Sequence, residues 1–148
     1  MVPTPRQLLL GREPHRRLWP AVAVVLFVGT FAAYAVGVFH IPGGVVFIPG
    51  QAALVGLLGA GIVGYARGGL LFAWLVCYGA LLGNHADHAF MGLSHRTRVE
   101  QAAYFFELDG LGAYAVMAVV LGLLAFAVGA LARWGYETLR PQRRASAD

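Results

Sequence analysis

The reading of this chain turns on Leu-Leu-Phe-Ala-Trp-Leu-Val-Cys-Tyr-Gly-Ala-Leu-Leu-Gly-Asn-His-Ala-Asp-His, residues 70–88. It opens as uninterrupted hydrocarbon and closes on Asn84, His85, Asp87 and His88. Asp87 is the single acidic residue inside any long apolar run of the chain. Runs of about 20 apolar residues are long enough to cross a bilayer as helix. From Gly69 to Gly83 there are only about 15 such residues, roughly 22 Å of helix against a hydrocarbon core of ~30 Å. The polar end is therefore expected in the last turn of hydrocarbon or at its edge. Ionisable groups at that depth are costly and usually face protein or a water-filled cavity.

Outward from this run the chain repeats the pattern. The 148 residues are 59% hydrophobic and 12% charged, and their mean hydropathy is +0.67. A soluble domain carries roughly 25% charged residues. The expectation is an all-α integral membrane protein: a four-helix transmembrane bundle with a short interfacial helix between spans three and four. The spans are placed at about 18–41, 49–66, 70–91 and 111–134. Arginine-rich tails at 1–17 and 135–148 flank this domain. In the first tail, Gln7-Leu8-Leu9-Leu10 is the one apolar patch, and it either lies on the membrane surface or stays without order.

Turn chemistry sets the boundaries. His40-Ile41-Pro42-Gly43-Gly44 reads as a turn. Pro49 suits the first position of a helix, so residues 45–48 lead into the second span. Arg67-Gly68-Gly69 is a minimal connection, making spans two and three antiparallel neighbours. Thr97-Arg98-Val99-Glu100 has the spacing of a capping box. After it, Val99, Ala103 and Phe106 recur at helical spacing opposite Glu100, Tyr104 and Glu107, the pattern of an amphipathic helix over 98–108 lying in the interface. A single helix from 98 to 134 would be about 55 Å long, too long for one span, and Asp109-Gly110 is the expected break.

Small residues recur every fourth position at Gly29/Ala33/Gly37, Gly56/Ala60/Gly64 and Gly79/Gly83, and such stripes let helix backbones approach closely in membranes. Glycine beyond those stripes leaves room for a partner helix, in a homo-oligomer or a larger membrane complex.

Charge gives the threading. All eleven basic residues are arginine. With four spans, Arg6, Arg12, Arg16, Arg17, Arg67, Arg133, Arg140, Arg143 and Arg144 share one side, nine against Arg96 and Arg98 on the other. Arginine accumulates on the cytoplasmic side, so both termini are expected in the cytoplasm of a plasma-membrane protein. The basic pI of 9.7 then reflects topology rather than nucleic-acid binding. The polar end of residues 84–88 faces outward, together with His40, Gln51 and the loop carrying Glu107 and Asp109.

Two readings of that outer cluster stand side by side. In one, His85, His88, Asp87, His40, Glu107 and Asp109 supply nitrogen and oxygen ligands to a divalent metal such as zinc, making a membrane metalloprotein whose expected chemistry is hydrolysis. In the other they form a polar end cap. Asp87 then continues the Gly79/Gly83 face and bonds backbone groups or Arg96 and Arg98, while the histidines sit at headgroup level. Other chemistries lack their residues. The lone Cys77 excludes an internal disulfide and cysteine metal motifs, and the two serines, Ser94 and Ser146, form no triad. No charge lies at mid-membrane depth, which argues against ion-coupled transport. The function expected from the remainder is a non-enzymatic membrane subunit or interaction partner.

Overall fold

The computed structural model describes residues 5–11, 17–40 and 49–145. Every regular element among them is helical. The order is α1 (Pro5–Leu10), α2 (Leu18–Ala35), α3 (Gly50–Tyr65), α4 (Leu70–Asp87), a π-helical turn (His88–Gly92), α5 (Arg98–Phe105) and α6 (Leu108–Ala145). The expected turn at 41–44, the segment 45–48 and Arg12 and Arg16 lie outside the described residues. Two of the described helices are long and apolar enough to cross a membrane: α2, and α6 over Leu108–Leu139. The apolar α3 is shorter at 16 residues. The 18 residues of α4 end on Asn84-His85-Ala86-Asp87.

The first of the small-residue stripes is not a packing face. Gly29 has nothing within 4 Å of where a side chain would start. Gly37 lies beyond the end of α2 and adopts φ +74°. The Val38 N–H donates to Ala33 O (2.9 Å) and the Gly37 N–H to Tyr34 O (2.9 Å). That is a Schellman closure, whose left-handed position favours glycine because no Cβ is there to clash. So α2 stops at Ala35, short of the expected 41, and its packing face is Trp19, Ala23, Thr30 and Tyr34.

The other two stripes do pack. Gly79 lies on the Ala23 carbonyl, and Gly83 is pressed against Thr30 and the backbone of Phe27 and Phe31. Between them the Thr30 hydroxyl sits 2.7 Å from Leu26 O in its own helix and 3.0 Å from Ala80 O in α4. On the opposite side Gly56 meets Cys77 and Gly64 meets Phe126, with Ala60 fully buried between them. The α3–α6 contact is closed by Gly61 against Gly129, which the stripes had not included. Helix α4 thus lies in the middle, touching α2, α3 and α6.

Two further boundaries differ from expectation. Asp109-Gly110 is no break. The chain turns at Phe106-Glu107, and α6 starts at Leu108 with Asp109 in its first turn, where a carboxylate complements the helix dipole. At its other end α6 continues past 134 to Ala145. At the α3–α4 turn Arg67 takes a left-handed conformation, φ 58°, and Gly69 takes φ +97°. Gly68 is covered by Trp19, and Gly69 by the backbone of Leu9, Leu10 and Gly11. Residues Gln7–Leu10 therefore belong to a short helix seated on this turn.

Candidate functional site

The capping box exists as the sequence implies. The Thr97 hydroxyl accepts from the Glu100 N–H (3.4 Å), and the Glu100 carboxylate accepts from the Thr97 N–H (2.9 Å). These bonds, to backbone and to the Thr97 hydroxyl, hold the Glu100 carboxyl below its ordinary pKa. The cap fixes where α5 begins, and α5 then folds over the end of α4. Its face carrying Val99 (79% exposed) and Phe106 (68%) is left open. The face turned to the protein is Gln101, Tyr104 and Phe105. Gln101 is almost fully buried; its Nε2–H donates to Leu93 O (2.9 Å), and its Oε1 accepts from Arg98 Nη1 (3.1 Å).

Beneath this roof lies His85, only 4% exposed. Its ring stacks on Tyr104 (centroids 5.6 Å) and meets Phe105 (5.4 Å) and Tyr114 (5.1 Å) at a tilt. Gly110 of α6 fits against its Cε1 edge, where a Cβ would stand 3.0 Å away. His85 Nε2 lies 3.2 Å from Phe105 O and, as a donor, satisfies one of the carbonyls that the end of α5 leaves without a helical partner. That assignment puts the proton on Nε2 and leaves Nδ1 as the acceptor.

The neighbouring polar groups are less evenly served. Asn84 Nδ2 donates to Tyr114 Oη (3.3 Å). Asn84 Oδ1 and Asp87 Oδ1 are buried with no hydrogen-bond partner among the described residues. Tyr34 lies within electrostatic reach of both Asp87 and Tyr114, so α2, α4 and α6 all bring polar atoms to this end.

The six sequence candidates do not converge. His85 is enclosed and its Nε2 is taken. His88 is exposed at the start of the π-helical turn, against Tyr104 (5.7 Å). Asp87 stands within electrostatic reach of His88, and Glu107 within reach of His85. Asp109 is exposed in the first turn of α6. His40 belongs elsewhere: its N–H donates to Gln51 Oε1 (2.8 Å), and with Gln51, Leu54 and Leu57 it borders a separate cavity of about 400 Å³. Among the described residues no three His, Cys, Asp or Glu side chains are grouped to hold a metal ion. The expected end-cap contacts also differ. Arg98 turns to Gln101, and the ion pairs described, Arg67–Glu137 (2.9 Å) and Arg133–Glu137 (2.7 Å), lie at the opposite end.

The residues that sequence reading missed are the rings around His85, namely Tyr104, Phe105 and Tyr114, and Gln101, which ties α5 to Leu93 O. Tyr104 was placed on a polar face because it shares that face with Glu100 and Glu107. The run Tyr104-Phe105-Phe106 right after a capping box was the available signal.

No family model, curated protein or solved structure matches this chain. Over the described residues the protein is all-helical, with two helices able to cross a membrane by length and composition.

Proposed function

We propose that α2, α3, α4 and α6 all cross the plasma membrane, with both termini in the cytoplasm. In this reading the protein serves as a non-enzymatic subunit or interaction partner, and its outer end is the α5-roofed cluster. One observation carries the membrane reading. Long aliphatic side chains stand exposed on α2 (Val24, Val25, Val28), α3 (Leu54, Leu58, Ile62) and α6 (Val120, Leu124, Val128), while α4, packed against all three, exposes Leu71 and Leu75. Water would disfavour such a surface, since exposed apolar patches on soluble monomers rarely exceed a few hundred Å². Lipid would solvate it. The polar end of α4 is tolerable in that setting because protein covers it. At 16 residues α3 gives about 24 Å of helix, so its span requires local thinning of the bilayer.

The outer end supports recognition rather than chemistry. His85 gives its Nε2–H to a backbone carbonyl and lies among three rings, and among the described residues no three ligating side chains are grouped around it. The open Val99/Phe106 face of α5 has the character of an interfacial surface.

Topology is tested by cysteine accessibility. Ala103→Cys should react with an impermeant maleimide on intact cells, and Thr138→Cys only after lysis. Outside labelling of Thr138→Cys, or release of the chain by alkaline carbonate, would overturn the four-span reading. For the subunit role, crosslinking followed by sizing in mild detergent should give a complex larger than one chain. A lone monomer that captures nothing would refute it.

A further inference from the structure

The bilayer-facing seam between α3 and α6 contains an open groove of about 550 Å³. Its walls are Leu54, Leu58 and Ile62 from α3, and Leu124, Val128 and Ala132 from α6. At its floor Gly61 and Gly129 bring the two backbones together. The lining is aliphatic until Tyr65, and there the character changes. The Arg133 guanidinium stands 5.9 Å from the Tyr65 ring centroid and donates from Nη1 to Tyr65 O (2.9 Å). Arg133 and Arg67 both pair with Glu137. Two positive charges less one negative leave this end of the groove at +1, and both arginine side chains remain about a third or more exposed, 32% and 40%.

Depth selects the occupant. From Leu54 to Tyr65 is about 16 Å of helix rise, against roughly 15 Å for one leaflet of a ~30 Å hydrocarbon core. A partner helix would find walls for only half its length, whereas an acyl chain would be lined throughout. Each guanidinium offers five N–H donors. The bonds described occupy two on Arg133 and two on Arg67, which leaves donors for phosphate oxygens. Basic sites between helices on the cytoplasmic side are suited to anionic headgroups.

We propose that this groove holds one acyl chain of an anionic phospholipid of the cytoplasmic leaflet, with its phosphate at Arg67 and Arg133. The inference rests on the membrane reading above. Its test is native mass spectrometry of the full chain in mild detergent, titrated with phosphatidylglycerol or phosphatidylcholine of identical chains. Phosphatidylglycerol should bind roughly fivefold tighter, the worth of about one juxtamembrane charge, and saturate at one lipid per chain. Ala132→Trp should fill the groove and weaken both lipids. Arg67→Gly should abolish the preference between them while keeping the melting temperature, because glycine suits the left-handed backbone at that position. Equal binding of the two lipids by the unaltered chain, or undiminished phosphatidylglycerol binding by Ala132→Trp with its helicity intact, would overturn the site. Carbonate extraction of the same membranes separates the two failures: a chain that washes off shows that the membrane reading itself has failed, and the lipid site falls with it.

Discussion

Helices α2 and α4 are both 18 residues long, and both carry glycine in a pattern that reads as a packing stripe. Their fates are opposite. Helix α4 buries eleven of its residues, including Asn84 and His85, whereas α2 buries four. Gly79 and Gly83 of α4 are pressed against the backbone of α2, but Gly29 of α2 faces open space and Gly37 is a helix terminator. The difference teaches that small-residue spacing only permits close approach. How many neighbours a helix has decides whether that permission is used. A helix surrounded on three sides must have small residues on several faces, while a peripheral one packs a single face and can fill it with Trp19, Thr30 and Tyr34.

The largest expected effect tests this contrast head-on. Gly83→Leu should cost at least ~3 kcal/mol by overpacking against backbone that cannot yield, and Gly29→Leu should stay within about 0.5 kcal/mol. Thermal unfolding in detergent measures both, and equal destabilisation would break the comparison. Next comes the buried end of α4. His85→Ala should cost about 2–3 kcal/mol through the lost ring contacts and the carbonyl left unpaired at Phe105. It should also free α5, seen as faster tryptic cleavage at Arg98. His88→Ala, one turn further and exposed, should leave both measurements nearly unchanged. If the two histidine variants behave alike, α4 is not enclosed at this end.

Smaller effects sharpen the picture. Thr30→Val should cost about 1 kcal/mol, the order of an interhelical hydroxyl bond in a membrane protein, because Thr30 is where the two helices exchange a polar contact. A cost below experimental error would mean that packing alone joins them. The smallest effect belongs to the exposed cap. The Glu100 pKa is depressed by the bonds from Thr97. Its contribution is therefore complete above the unfolded value, ~4.3 for glutamate, and is lost as pH falls through the lower folded one. The Thr97 amide resonance should titrate with a midpoint below that ordinary value, and Glu100→Ala should abolish the titration.

How legible the fold was depended on the range of each interaction. Thr97 and Glu100 are three residues apart, so their box could be read directly. Pro49, Arg67-Gly68-Gly69 and the Gly56/Ala60/Gly64 stripe were equally readable, the first two as local backbone chemistry and the third as a repeat that found its partner. Gly37 was misread because a glycine that ends a helix and one that packs it look identical in sequence. Asp109-Gly110 was misread because aspartate favours the first turn of a helix as well as a break. The site was less legible than the fold. Asn84, His85, Asp87 and His88 could be singled out as unusual, and the length of their helix placed them near its polar end. Nothing local distinguishes His85 from His88.

By itself, then, the sequence determined that the chain is helical, where most helices start, that their surfaces are aliphatic and that arginine concentrates at two ends. These follow from propensity, caps and composition within a few residues. Tertiary structure alone decided that α4 is the central helix, that α5 folds back so that Phe105 O meets His85, and that Gly61 meets Gly129 to leave a groove beside Tyr65. Those outcomes join residues 20 to about 70 positions apart. They depend on which faces find partners, a choice made by the packing of all the helices together.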